Sequence, residues 1–149
     1  MIDVAILRPS DWEFPLFVHV LGAMFLVGSV VLTLIFLVSA WRGNGDALRI
    51  ALRSMLFGVL PGYIVMRVGA QWVYSKEGYD DLPSDPNWIG IGFGVADFGL
   101  LLLIVAAVAA WLARRRGAAG LGVRVATLFI AVLLVADLVA IWAMTTKPA

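Results

Sequence analysis

Four long apolar stretches divide the chain, each at or above the roughly 20 residues that a bilayer-spanning helix requires. They run about Phe14 to Trp41, Ile50 to Tyr74, Trp88 to Ala113 and Val123 to Met144. The first holds one ionisable residue, His19, and the second is interrupted by Arg53, Pro61 and Arg67. None shows the charged face of a helix lying on a membrane surface. Short connections favour antiparallel neighbours. The pattern therefore predicts an all-α polytopic membrane protein, residues 1–149 forming one up-down bundle of four transmembrane helices. Pro61 removes a backbone donor and is expected to kink the second helix. Ser84-Asp85-Pro86 reads as an N-cap with proline at the first helical position. Ser10 with Glu13 fits a capping box, and Pro15 is an alternative first residue of the first helix.

Composition strengthens this reading. Of the 149 residues 62% are hydrophobic and 14% charged, with a mean hydropathy of +0.99. An ordinary soluble domain has about 45–50% apolar and about 25% charged residues. A soluble fold of this size buries about 68–70% of its surface and could not hide so much apolar side chain. Disorder, a disulfide scaffold and nucleic-acid binding are excluded as classes, and the absence of Cys removes thiolate metal sites and thiol catalysis. The formal net charge of +1 is a sum over segregated charges. Arg42, Arg49, Arg53, Arg114, Arg115, Arg116 and Arg124 sit on or beside the first and third loops. Arg8, Lys76 and Lys147 sit on the opposite side. The positive-inside rule then puts both Arg-rich loops in the cytoplasm and both termini outside, in a bacterial cytoplasmic (inner) membrane. Trp12, Trp72, Trp88 and Trp142 fall near the outer interface, and Trp41 and Trp111 near the inner one, as an aromatic belt requires. The N-terminus lacks the basic region and short apolar segment of a cleavable signal peptide.

Intramembrane ionisable residues carry the candidate chemistry. Each helix contributes one: His19, Arg67, Asp97 and Asp137, all at similar depth in the outer leaflet. Arg or Asp at mid-membrane costs about 2.5–3.5 kcal/mol on insertion scales, so four at one level are expected to face one another inside the bundle. On the first helix His19, Gly22, Leu26, Ser29 and Thr33 form a small-and-polar stripe. On the second, Tyr63, Arg67, Gln71 and Tyr74 share a face, which makes Tyr63 and Gln71 supporting residues. Gly90, Gly94 and Asp97 align on the third, and Thr127 and Asp137 on the fourth. The expectation is an ion pair of Arg67 with Asp97, Asp137 or both, with His19 and Tyr63 close by. Such residues serve as packing glue, form a site, or snorkel to the outer interface and never meet.

Other motifs have plain explanations. Gly90-Ile91-Gly92-Phe93-Gly94 opens a membrane helix with no preceding strand, so it permits close packing and is no dinucleotide fingerprint. Glu77, Asp80, Asp81 and Asp85 lack the spacing of a calcium loop and read as a solvated acidic loop. Arg114-Arg115-Arg116 reads as a topology signal that also suits anionic lipid. A Ser-His-Asp arrangement would have to pass through His19, and no Ser has a nucleophile motif around it, so no enzyme activity is expected.

The string Phe17-Val18-His19-Val20-Leu21-Gly22-Ala23 with Val27-Gly28, and the closing Trp142-Ala143-Met144-Thr145-Thr146-Lys147-Pro148, resemble an uncharacterised bacterial family of four-helix integral membrane proteins. The first string is also similar to proteins of the copper-resistance D type and to b-type cytochrome helix pairs. The cytochrome resemblance implies haem b held by histidine. This chain has His19 alone, so haem would need a second ligand from Met66 or Met144, a five-coordinate iron, or a His19 from a second copy, and Arg67 would pair a propionate. Three functions follow as expectations. The first is a structural or accessory bundle, the second a haem- or quinone-linked redox protein using His19. The third is proton or small-solute transport through Asp97 and Asp137. The partners expected are the lipid bilayer and a second copy or larger membrane complex, with no nucleic acid.

Overall fold

The computed structural model describes residues 13–81, 84, 86–116 and 120–146. The first helix is Glu13–Trp41, the second Gly45–Lys76, the third Asn87–Arg115 and the fourth Leu121–Thr146. All four are long and apolar enough to cross a membrane, and the described residues form no strand. A single turn of 3-10 helix, Tyr79–Asp81, follows the second helix. The outside of the bundle is apolar, with Phe57, Met24 and Leu128 largely exposed. The packed interior holds Val30, Leu37, Met55, Val59, Ala106 and Ile130. Such a molecule is stable with lipid tails around it.

The second helix starts at Gly45, five residues before its apolar stretch. Asn44 caps it by accepting a hydrogen bond from the Ala47 N–H at 3.2 Å. Its first turns are amphipathic: Ala47, Leu48, Ala51 and Leu52 are buried, and Arg49 and Arg53 are exposed. A criterion of apolar length passes over such turns because half of their residues are polar. Gly43, at φ +100°, lets the chain reverse between Trp41 and Gly45. The third helix begins at Asn87, so Pro86 is its N-cap residue and not its first helical residue. The Pro86 carbonyl accepts from the Ile89 N–H at 2.9 Å. Asp85 and Ser10 lie outside the described residues.

The second helix is interrupted where Pro61 demands it. Proline has no N–H for the carbonyl four residues earlier, and its ring crowds that carbonyl. A π turn, Met55–Val59, absorbs the mismatch, and the Leu60 N–H donates to the Met55 carbonyl.

Glycine sets the spacing of the first two helices. A Cβ on Gly62 would stand 2.9 Å from the Leu26 backbone, and one on Gly69 would stand 2.6 Å from the His19 backbone. Gly22 lies in equally close contact with the Met66 backbone, and Gly58 faces the Ser29 side chain. The pairs Ser29/Gly58, Leu26/Gly62, Gly22/Met66 and His19/Gly69 run in register along an antiparallel seam. This is the small-residue packing by which membrane helices approach closely. Towards the arginine-rich end, the Thr33 hydroxyl donates to the Ser29 carbonyl at 2.7 Å and shares a 2.8 Å hydrogen bond with the Ser54 hydroxyl. Thr33→Val is expected to destabilise the bundle by about 0.6 kcal/mol, with about 1.7 as a ceiling, when unfolding is titrated with a denaturing detergent.

The remaining contacts position the site. The third and fourth helices pack along their lengths, and the first helix touches the fourth. The arginine-rich part of the second helix reaches the third, so the ring of four closes at that end. Beyond the π turn the second helix leans on the first and touches the third only sparsely. The bundle is therefore splayed at the acidic-loop end, between the second and third helices.

Candidate functional site

The splay leaves a cavity of about 380 Å³, lined by all four helices and the Tyr79 turn. His19 and Leu16 come from the first helix, and Met66, Arg67, Ala70 and Tyr74 from the second. Trp88, Gly92, Phe93 and Ala96 come from the third, and Met144 and Thr145 from the fourth. A predominantly apolar cleft of this volume with a few convergent polar groups has the make-up of a small-molecule site.

His19 is held in one orientation. Its backbone is clamped by Gly69, and its Nδ1–H donates to the Met66 carbonyl at 3.0 Å. This bond fixes the tautomer with the lone pair on Nε2, the arrangement in which imidazoles bind metals or accept a proton. Met66 and Met144 place thioethers on the same cavity, and the Met144 methyl fills the gap left by Gly92.

Arg67 lines the cavity beside Phe93. Its guanidinium lies 4.5 Å from the Phe93 ring centroid, and its Nη1 donates to Gln71 at 3.2 Å. Its Nε is 3.7 Å from an Asp97 oxygen, so the expected pair with Asp97 forms as a long contact. Aromatic rings roof the acidic-loop end: Tyr74 and Tyr79 stack at 5.8 Å, Phe93 meets Tyr74 edge-on at 5.6 Å, and Trp88 meets Tyr79 at 5.8 Å. Burial, and then the neighbouring Glu77 carboxylate, push the Tyr79 phenol above its ordinary range, so it remains a neutral donor.

Three of the four ionisable residues share a depth, His19 lies nearer its helix end, and the four share no centre. Arg67, Asp97 and Asp137 lie nine or ten residues from the nearer helix end, about 14 Å at 1.5 Å per residue. His19 and Arg67 line the cavity. The Asp97 side chain is 69% exposed on the outside of the bundle, contrary to the expectation that it faces inward. Asp137 is buried, its Oδ2 has no hydrogen-bond partner among the described residues, and it borders a separate void of about 10 Å³. The reason lies in the packing. The third and fourth helices use their small residues on each other, which turns Asp97 away from the axis, while Asp137 faces the bundle interior as expected but away from Arg67. Tyr63, expected beside Arg67, also borders that void and lies within electrostatic reach of Arg67 and Asp97. Gln71 supports Arg67 as expected. Tyr74 was legible as a residue on the Arg67 face and Trp88 as an interface aromatic, whereas Phe93 stood out only within the glycine run and Tyr79 carried no signal, although Phe93 stands one turn before Asp97.

Comparison with known proteins adds no relative. No family model, curated protein or solved structure matches the chain. Among the described residues no group of three or more His, Asp or Glu side chains is placed to hold a metal ion. Within one chain, Met66 and Met144 are the other soft ligands that line the cavity with His19.

Proposed function

We propose that the chain is an intramembrane binding protein whose splayed cavity takes a flat amphipathic molecule, haem b or a quinone. The observation that carries this reading is His19: its Nδ1–H is committed to the Met66 carbonyl, which leaves Nε2 as a lone pair at a cavity that Arg67 also lines. Haem b would present iron to Nε2 and a propionate to Arg67, and Met66 or Met144 is the second ligand available in this chain. A quinol hydroxyl would donate a hydrogen bond to Nε2, and a quinone carbonyl would accept one from Arg67. Packing glue accounts less well for the four ionisable residues. Glue requires them to satisfy one another, whereas Asp137 has an oxygen without a partner and the Arg67–Asp97 contact is long. The distribution of arginine supports a setting in a bacterial cytoplasmic membrane with both termini, and hence the cavity, on the outer side.

A visible spectrum of the detergent-purified protein tests the reading, taken as isolated, after haem addition and after dithionite. A Soret band that sharpens on reduction and is absent from His19→Ala identifies haem b. A featureless spectrum with saturable quenching of Trp fluorescence by a short-chain benzoquinone identifies the quinone, and Arg67→Ala is then expected to weaken binding at least tenfold. If neither probe binds at a ratio of about one per chain, the reading fails.

A further inference from the structure

Asp97 has no place in the cavity, and its exposure calls for a separate explanation. It lies about 15 Å from the start of the third helix, well inside a hydrocarbon core of about 30 Å. At that depth a carboxylate facing lipid is costly, and such groups face protein or water. Arg67 is its ion-pair partner among the described residues, at 3.7 Å, which leaves the carboxylate's other oxygen and most of its surface uncovered. The same face of the third helix carries Gly90 and Gly94, where an added Cβ would meet nothing within 4 Å, followed by exposed Leu101.

We infer that this face is the interface of a homodimer in which each Asp97 is covered by the second copy and paired with its Arg67. Charge complementarity selects the occupant. The face carries one cation and one anion side by side, so a two-fold axis along the membrane normal brings Asp97 of each copy towards Arg67 of the other, and the assembled patch is neutral. Both copies keep the same orientation, so the third helices cross in parallel, and Gly90 and Gly94 let their backbones come close enough for the charges to meet. A lipid tail offers nothing to the carboxylate, and a purely apolar partner helix would leave it bare.

The chain contains no cysteine, which makes the test direct. Single-cysteine variants Gly94→Cys and Leu101→Cys are oxidised in native membranes, with Val135→Cys, on the exposed face of the fourth helix, as the control. The expected result is a disulfide-linked dimer from Gly94→Cys and Leu101→Cys and monomer from Val135→Cys. Adding Asp97→Asn is expected to reduce cross-linking of Leu101→Cys at least tenfold. Light scattering of the unmodified protein in lipid nanodiscs, expected at two copies per particle, covers the case in which a cysteine itself spoils the close approach. One copy per particle, cross-links to a different protein, or equal cross-linking of Val135→Cys would each overturn the inference.

Discussion

Gly22→Ala is expected to lower the stability of the bundle by about 1–3 kcal/mol, among the largest effects of any single methyl group in the molecule. Its added Cβ would press on the Met66 backbone, which is the part of the neighbouring helix least able to move aside. Gly69→Ala should cost a similar amount, because its Cβ would stand 2.6 Å from the His19 N atom. The matched control is Gly28→Ala. Gly28 is in the same helix as Gly22, but an added Cβ would meet nothing within 4 Å. Replacing a helical glycine there is expected to be neutral or to stabilise by about 0.5–1 kcal/mol. The readout is unfolding by a denaturing detergent, followed by circular dichroism. Equal effects at Gly22 and Gly28 would show that glycine acts through helix propensity and that the seam is looser than described. Gly69→Ala has a second consequence. It moves the His19 backbone relative to Met66, so ligand binding should fall more than the loss of stability alone accounts for.

The architecture was legible because the bilayer makes it so. A solvent that satisfies no backbone polar group forces the chain into helices of fixed minimum length, and apolar length alone located all four spans. The edges were less legible. Residues 45–49 are helical although Asp46 and Arg49 make them look like loop, because a cap at Asn44 and four buried positions do the work of an apolar run. The prolines show the same limit. Pro61 was correctly read as a disturbance, but its form, a π turn ahead of the proline, depends on how the helix packs on its neighbour. Pro86 fell one position outside the helix that it was expected to open.

The site was half legible, for a different reason. Depth follows from counting residues along a helix, and Arg67, Asp97 and Asp137 do lie nine or ten residues from the nearer helix end, with His19 six residues in. Rotation about the helix axis does not follow from counting. It depends on which neighbour each face meets, and here two helix pairs compete for the small residues. The first and second helices mate through Gly22, Gly62 and Gly69, which aims His19 and Arg67 at the splay. The third and fourth helices mate through Gly92, Gly99 and Gly122, which leaves Asp97 outside, whereas Asp137 faces the bundle interior beside a small void to which all four helices contribute. The glycines of the third helix were visible in the sequence, but the partner of each was not. Gly92 takes Met144, Gly99 takes Leu133, and Gly90 and Gly94 take nothing among the described residues.

Asp137→Leu is expected to stabilise the protein, by about 1–3 kcal/mol. Asp137 sits among Leu26, Val59, Leu103 and Leu133 with one carboxyl oxygen that meets no donor. Leaving a buried polar group unsatisfied carries its full desolvation penalty, and an apolar side chain of similar size removes that penalty and fills the adjoining space. The void beside it, about 10 Å³, is at the lower limit for one water molecule, and Tyr63 is the polar side chain that could share that water. The sign of the effect therefore decides what Asp137 is for. A gain in stability, measured by the same detergent titration, makes Asp137 a residue kept at a cost, and function is the usual reason that intramembrane carboxyl groups are kept. A loss of 1 kcal/mol or more would mean that a water or a proton-sharing partner already satisfies it. Asp137→Asn separates these cases further. It keeps the shape and adds two N–H donors, so it should be close to neutral where a water bridges to Tyr63 and destabilising where the pocket is dry. Because Met66 and Ala96 border both the void and the large cavity, a ligand that displaces Met66 would bring the Asp137 carboxyl into contact with the site. Haem or quinone binding should then change on Asp137→Leu while the detergent titration moves the other way, an opposition that a purely structural residue would not produce.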